Sequence, residues 1–176
     1  EQAIKDYARA GDLCFAILRY FNAAGADPDL EVGELHQPEP HIIPLAIEAA
    51  IKENDFYLNG EDWNTLDGTP IRDYIHVTDL ADGHVSALKR LLGRRESFAV
   101  NLGSGIGVSV KQVVSEVERV CNKKIKYMVR ERRVGDPEYL VADISKAKIL
   151  LDWRPQYSSV EYIIDTAVAW YKKLEF

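Results

Sequence analysis

An arginine suits a phosphate, because its planar guanidinium makes paired, charged hydrogen bonds to two oxygens. Two arginines stand where this chemistry could be used. Arg72 leads Arg72-Asp73-Tyr74, in which Tyr74 adds a flat ring and a hydroxyl two residues on. Arg133 leads Arg133-Val134-Gly135-Asp136, a turn-forming run whose carboxylate can accept from a sugar hydroxyl. Taken singly, the first also fits a strand with a surface arginine and the second a solvated turn. Taken together, they suit the two sides of a diphosphate. Asn22 closes Arg19-Tyr20-Phe21-Asn22. Its amide can donate to a phosphate oxygen, and Tyr20 and Phe21 can wall a flat ring.

These residues need elements to hold them. Asp67-Gly68 and Thr69-Pro70 are breaker pairs, so a turn precedes Arg72. Ile71 to Val77 reads as a strand, with Arg72, Tyr74 and His76 on one side and Ile71, Asp73, Ile75 and Val77 on the other. A helix follows, with Thr78 as its cap and Asp79 and Asp82 near its positive end. Leu13 to Leu18 is continuously apolar, as a strand buried on both faces of a parallel sheet would be. It delivers Tyr20 to Asn22 at its carboxyl end, where open α/β sheets bind ligands. Gly25 to Pro40 is a long irregular loop, of a kind that is often functional. A helix begins near Ile42, and Phe56 to Asn59 is a short strand.

Ser97 to Leu102 is a further strand, followed by Gly103-Ser104-Gly105-Ile106-Gly107. That run lacks the Gly-x-Gly-x-x-Gly spacing and a following acidic partner, so it reads as a tight strand-to-helix turn. Ser109 and Gln112 form a capping box, Ile125 to Val129 a strand and Ser145 to Leu151 a short helix. Ser158 and Glu161 box the last helix. The alternation of strands and helices is that of an α/β protein.

Composition narrows the classes. Of 176 residues, 47% are hydrophobic, ample for a core, and 22 basic against 28 acidic residues give a net charge of −6. This disfavours nonspecific binding to nucleic acid or an anionic membrane, but an anionic small ligand needs only two or three local cations. Cys14 and Cys121 read as buried free thiols, which suits a reducing cytoplasm. No apolar run approaches the ~20 residues of a membrane span. His36 and His84 show no metal-type spacing, His76 reads as a satisfied strand histidine, and no Ser-His-Asp set or paired-carboxylate site emerges. No metal is therefore expected. Glu1 opens in what reads as mid-helix, so the chain is expected to be the later part of a longer protein.

From Arg72 to Ala81 the sequence is Arg-Asp-Tyr-Ile-His-Val-Thr-Asp-Leu-Ala. This resembles a signature of the extended short-chain dehydrogenase/reductases that act on nucleotide sugars, and most closely of their UDP-hexose 4-epimerases. The resemblance implies the last strands of a Rossmann-type parallel sheet interleaved with a small α/β substrate-binding domain. Residues 1–30 would be the end of the NAD-binding domain and 31–176 the UDP-sugar domain, with 69–92 returning to the first. It implies NAD as cofactor, with Tyr20 and Phe21 against the nicotinamide. For the UDP-sugar it implies Asn22, Arg72 and Arg133 at the phosphates, with Tyr74 beside Arg72, and Asp136 at the ribose. His41, Ile42, Tyr57, Leu58 and Asn59 would border the uracil. Three positions depart from the family: His41 where Asn is common, Asn59 where Phe is common, and Leu140 where a Tyr often stands.

The family's hydride chemistry uses a Gly-rich loop for NAD and a Tyr-x-x-x-Lys pair as general base. Neither is in this sequence; Tyr7 is followed four residues on by Gly11. The whole protein would interconvert UDP-glucose and UDP-galactose as a homodimer, and this chain alone would not turn over. Two alternatives stay open. One is another NAD-dependent nucleotide-sugar epimerase or dehydratase. The other is a nucleotide-sugar-binding module without catalysis.

Overall fold

A computed structural model describes residues 1–174 of the chain. Helix α1 (Gln2–Ala10) precedes strands β1 (Ala16–Tyr20) and β2 (Asn22–Ala24). After the long loop come α2 (Ile42–Lys52), β3 (Phe56–Asn59), β4 (Ile71–His76), α3 (Val77–Arg94) and β5 (Phe98–Leu102). The remainder is β6 (Gly107–Ser109), α4 (Val110–Cys121), β7 (Tyr127–Arg130), β8 (Tyr139–Leu140), α5 (Ser145–Leu151) and α6 (Val160–Leu174). The class is mixed α/β with predominantly parallel pairing. β1 runs parallel to β5, with Ala16 opposite Phe98, and β3 parallel to β7. β4 pairs in parallel with β2 and β8 and antiparallel with β6.

β4 is the wall between two cores. Tyr74 packs in one, with Ile43, Ile47, Leu58, Val113 and Ile163. Ile75 packs in the other, with Val100, Leu102, Ala147 and Trp153. Successive strand side chains point to opposite faces, so one strand can serve both cores. From Asp73 to His76 every residue is buried, on both faces rather than on one.

Several local expectations shift. The apolar run from Leu13 is strand only from Ala16, and Leu13 is exposed, because the pairing with β5 opens at Phe98. Tyr127, not Ile125, begins β7; Ile125 instead packs in the first core. The Ser109–Gln112 capping box is present. Thr78 does not cap α3; the His76 ring accepts from the Thr78 amide at 3.1 Å. Ser158 does not cap α6 either. Ser159 accepts from the Tyr162 amide, while the Ser158 hydroxyl donates to Asp79. The two cysteines are free but only partly buried.

His76 is a buried joint between the elements. Its Nδ1 accepts from Thr78, so Nε2 carries the proton and donates to Thr166 Oγ1 at 3.0 Å. Thr166 in turn donates to the Ile163 carbonyl and accepts from the Ala26 amide. Burial pushes the His76 pKa down from its ordinary 6.5. The unfolded chain therefore takes the proton first as pH falls. Stability is expected to drop as pH passes below about 6.5 and to level off below the folded value. Urea midpoints measured across that window check this, and a His76→Gln chain should show a smaller drop.

Gly25 packs against the same joint. A Cβ there would lie 2.5 Å from His76 Cδ2 and 2.9 Å from Thr166 Oγ1, and its φ is +84°. Gly25→Ala is expected to lower stability by about 2 kcal/mol, through left-handed strain and the clash together. Urea unfolding reads this directly; an unchanged midpoint would contradict it.

Candidate functional site

The site is built outward from Asp73, which is fully buried. One carboxylate oxygen accepts from the Ser104 amide and hydroxyl, each at 2.7 Å. The other accepts from the Gly105 and Ala142 amides, each at 3.0 Å. The Gly103–Gly107 run is thus a nest for the protein's own carboxylate, and those amides are not available to a phosphate. Gly103 is required by proximity: a Cβ there would sit 2.5 Å from Ala142 Cβ. This network fixes the segment of β4 that carries Arg72 and Tyr74.

Beside that segment is a hollow of about 280 Å³. Its lining includes Asn22, His41, Ile42, Tyr57, Leu58, Asn59, Arg72, Tyr74, Arg133 and Asp136, ten residues drawn from five separate stretches of chain. Arg72 is held from two sides. Its Nη1 donates to the Ile71 carbonyl at 2.9 Å, and its Nη2 lies 3.7 Å from Asp136 Oδ2. Its side chain is 13% exposed, so it is a largely desolvated cation facing the hollow. Asp136 and Arg133 belong to one turn, closed by the Asp136 amide on the Arg133 carbonyl, with Gly135 at φ +85°. That turn brings the exposed Arg133 to the same hollow. Asn22 donates one amide hydrogen to the Asp73 carbonyl at 2.7 Å, which leaves the second hydrogen uncommitted by that bond.

Tyr74 and Leu58 are 4% and 1% exposed, so they form the floor rather than the rim. Burial pushes the Tyr74 hydroxyl up to about 12, and it stays neutral at ordinary pH. The Arg130 guanidinium lies over the Tyr57 ring at 3.3 Å, and Arg132 lies over Trp63 while pairing with Asp62. Each pins an aromatic ring near the hollow. Tyr139 and Leu140 form β8 against β4 and do not line the hollow.

A second hollow, of about 510 Å³, adjoins the first and shares Asn22 and His41 with it. Tyr20 and Phe21 stand in its wall, with Gly25 and Val77. The long loop supplies the rest, including Glu34 and His36. In that loop, Glu34, His36, Glu39 and His41 form a cluster, so His36 does have neighbours of metal-ligand type. The sequence signal was Glu-x-His-x-x-Glu-x-His, whose spacing fits no common metal motif. Burial, aided by the charge of Glu39, pushes the Glu34 carboxyl up. Asp79 lies in the first turn of α3, where a carboxylate suits the dipole, but it is buried and also accepts from the Gln156 and Tyr157 amides, tying the segment before α6 to the start of α3.

Residues 1–103 match the profile of the NAD dependent epimerase/dehydratase family. The chain belongs to that family. Among relatives of the same kind, it is 49% identical over 174 residues to a UDP-glucose 4-epimerase of Rhizobium leguminosarum bv. trifolii. That match covers 98% of this chain and 53% of the relative. A UDP-glucose 4-epimerase from Brucella ovis, solved in complex with NAD, superposes with a TM-score of 0.91 at 44% identity, covering 96% of this chain and 52% of that one. One from Bifidobacterium longum, solved with NAD+ and UDP, superposes at 0.88 with 33% identity, covering 98% and 52%. The chain spans about half the length of the epimerase/dehydratase relatives it matches. Among the described residues, no helix is long and apolar enough to cross a membrane.

Proposed function

We propose that this chain is the UDP-sugar-binding part of a UDP-glucose 4-epimerase, an isomerase of galactose metabolism. The observation that carries the reading is the meeting of Arg72, Arg133 and Asn22 around one hollow, although they lie far apart in sequence. Arg72 and Arg133 clamp the diphosphate, and the spare Asn22 hydrogen reaches a phosphate oxygen. Asp136 steadies Arg72 and accepts from a ribose hydroxyl. Tyr57, Leu58 and Asn59, with His41 and Ile42, border the uracil. Tyr74, neutral and buried beside Arg72, gives the hollow a fixed floor.

The cofactor this assignment implies is NAD, which supplies hydride abstraction and return at C4 of the sugar. The residues present fit only its nicotinamide end. Tyr20 and Phe21 wall the hollow adjoining Asn22, as a flat ring requires. The one Gly-rich turn that could resemble a pyrophosphate cradle spends its amides on Asp73. The second core joins β1 and α3, on the Rossmann-type side of the proposed division, to β5 and α5, which lie in the 31–176 substrate portion. The whole protein is a cytoplasmic homodimer in this reading.

A chimera tests the assignment. The Rhizobium leguminosarum relative, with its matching half replaced by this chain, is expected to interconvert UDP-galactose and UDP-glucose. This chain alone is expected to show no turnover, for want of a Tyr-x-x-x-Lys pair. A folded, NAD-loaded chimera without epimerase activity would overturn the assignment, as would turnover by the chain alone.

A further inference from the structure

The loop before α2 gathers two carboxylates and two imidazoles within one eight-residue segment. Glu34 Oε1 lies 3.0 Å from His36 Nδ1 and 2.7 Å from His41 Nδ1. Glu39 Oε1 lies 2.8 Å from the same His41 Nδ1 and also accepts from the His41 amide. The two imidazole centroids are 4.9 Å apart. One imidazole nitrogen, His41 Nδ1, thus faces a carboxylate oxygen of each glutamate within 2.8 Å. We infer that Glu34, His36, Glu39 and His41 form a divalent-cation site.

The donor set selects the ion. Two imidazole nitrogens with two carboxylate oxygens suit Zn²⁺, with Co²⁺ as a spectroscopic substitute, better than Mg²⁺ or Ca²⁺, which prefer oxygen alone. The four ligand atoms lie within 4.8 Å of one another. Around a tetrahedral ion with bonds near 2.1 Å, ligand atoms are about 3.4 Å apart, so the widest pair must close and the pairs at 2.7–3.0 Å must open slightly to admit it. The loop is already braced from outside the cluster: Trp170 Nε1 donates to the Glu34 carbonyl at 2.9 Å. His41 is the residue preceding α2 and lines both hollows, so a bound ion would pin the loop alongside them.

Calorimetry with ZnCl₂ and absorption titration with Co²⁺ on the chain test this. One Zn²⁺ per chain is expected to bind with a dissociation constant of about 10 µM or below, with visible Co²⁺ bands of a nitrogen–oxygen site. His36→Gln and Glu39→Gln, on different sides of the cluster, should each weaken binding by about tenfold or more. His84→Gln, outside it, should leave binding unchanged. Zn²⁺ should raise the unfolding temperature of the parent chain by more than that of His36→Gln, each measured against its own metal-free value. Absence of saturable binding below about 1 mM would overturn the site, as would affinity equal to the parent's in the His36→Gln and Glu39→Gln chains.

Discussion

Asp73→Ala is expected to lower stability by about 4–5 kcal/mol, enough to unfold much of the population of a marginally stable domain. The carboxylate is fully buried and accepts from four donors, three of them backbone amides. Removing it leaves those donors unsatisfied in a site that water does not reach, at about 1–3 kcal/mol for each group left bare. Charge is not the whole of it, and Asp73→Asn separates the two contributions. An Asn could still accept from Ser104 through its oxygen, but its NH₂ would face the amides of Gly105 and Ala142, donor against donor. It should therefore behave nearly as badly as Ala. Urea unfolding measures both; a midpoint near that of the parent for either variant would contradict this account.

Arg72→Ala is expected to weaken UDP binding by about 100-fold, or about 3 kcal/mol, in the range for truncating one member of a desolvated charge pair. Its guanidinium is already positioned by the Ile71 carbonyl and Asp136, so little ordering is left for the ligand to impose. The variant also leaves Asp136 without its cation at the edge of the hollow, which adds repulsion toward a diphosphate. Arg72→Lys should restore only part of the affinity, because a lysine keeps the charge but not the paired fork. Calorimetric titration with UDP reads all three chains. Equal affinity in the parent and Arg72→Ala chains would remove Arg72 from the site.

How much of this the sequence carried depends on the scale of the interaction. The strand at Arg72 and the Ser109–Gln112 box were legible because their signals are local, a period of two and a spacing of three. The ten lining candidates could be named because motif likeness carries long-range information that periodicity does not. The short pairings were not legible. Asn22–Ala24 has weak strand propensity and is a strand only because Asn22 lies opposite Tyr74. The expected caps at Thr78 and Ser158 differ for two reasons: His76, two residues before Thr78, caps α3 with its ring, and the distant Asp79 takes the Ser158 hydroxyl. The Glu34–His41 cluster escaped because a loop brings its ligands together by folding back on itself, with no helical or strand period to announce it.

The central claim is that the hollow recognises a diphosphate through two guanidiniums. Titrating the parent, Arg72→Ala and Arg133→Ala chains with UDP and, separately, with uridine tests it most directly. The account predicts that both variants lose affinity for UDP, Arg72→Ala the more, while uridine binds all three chains alike. Equal losses for uridine and UDP, or a parent chain that prefers uridine, would contradict it.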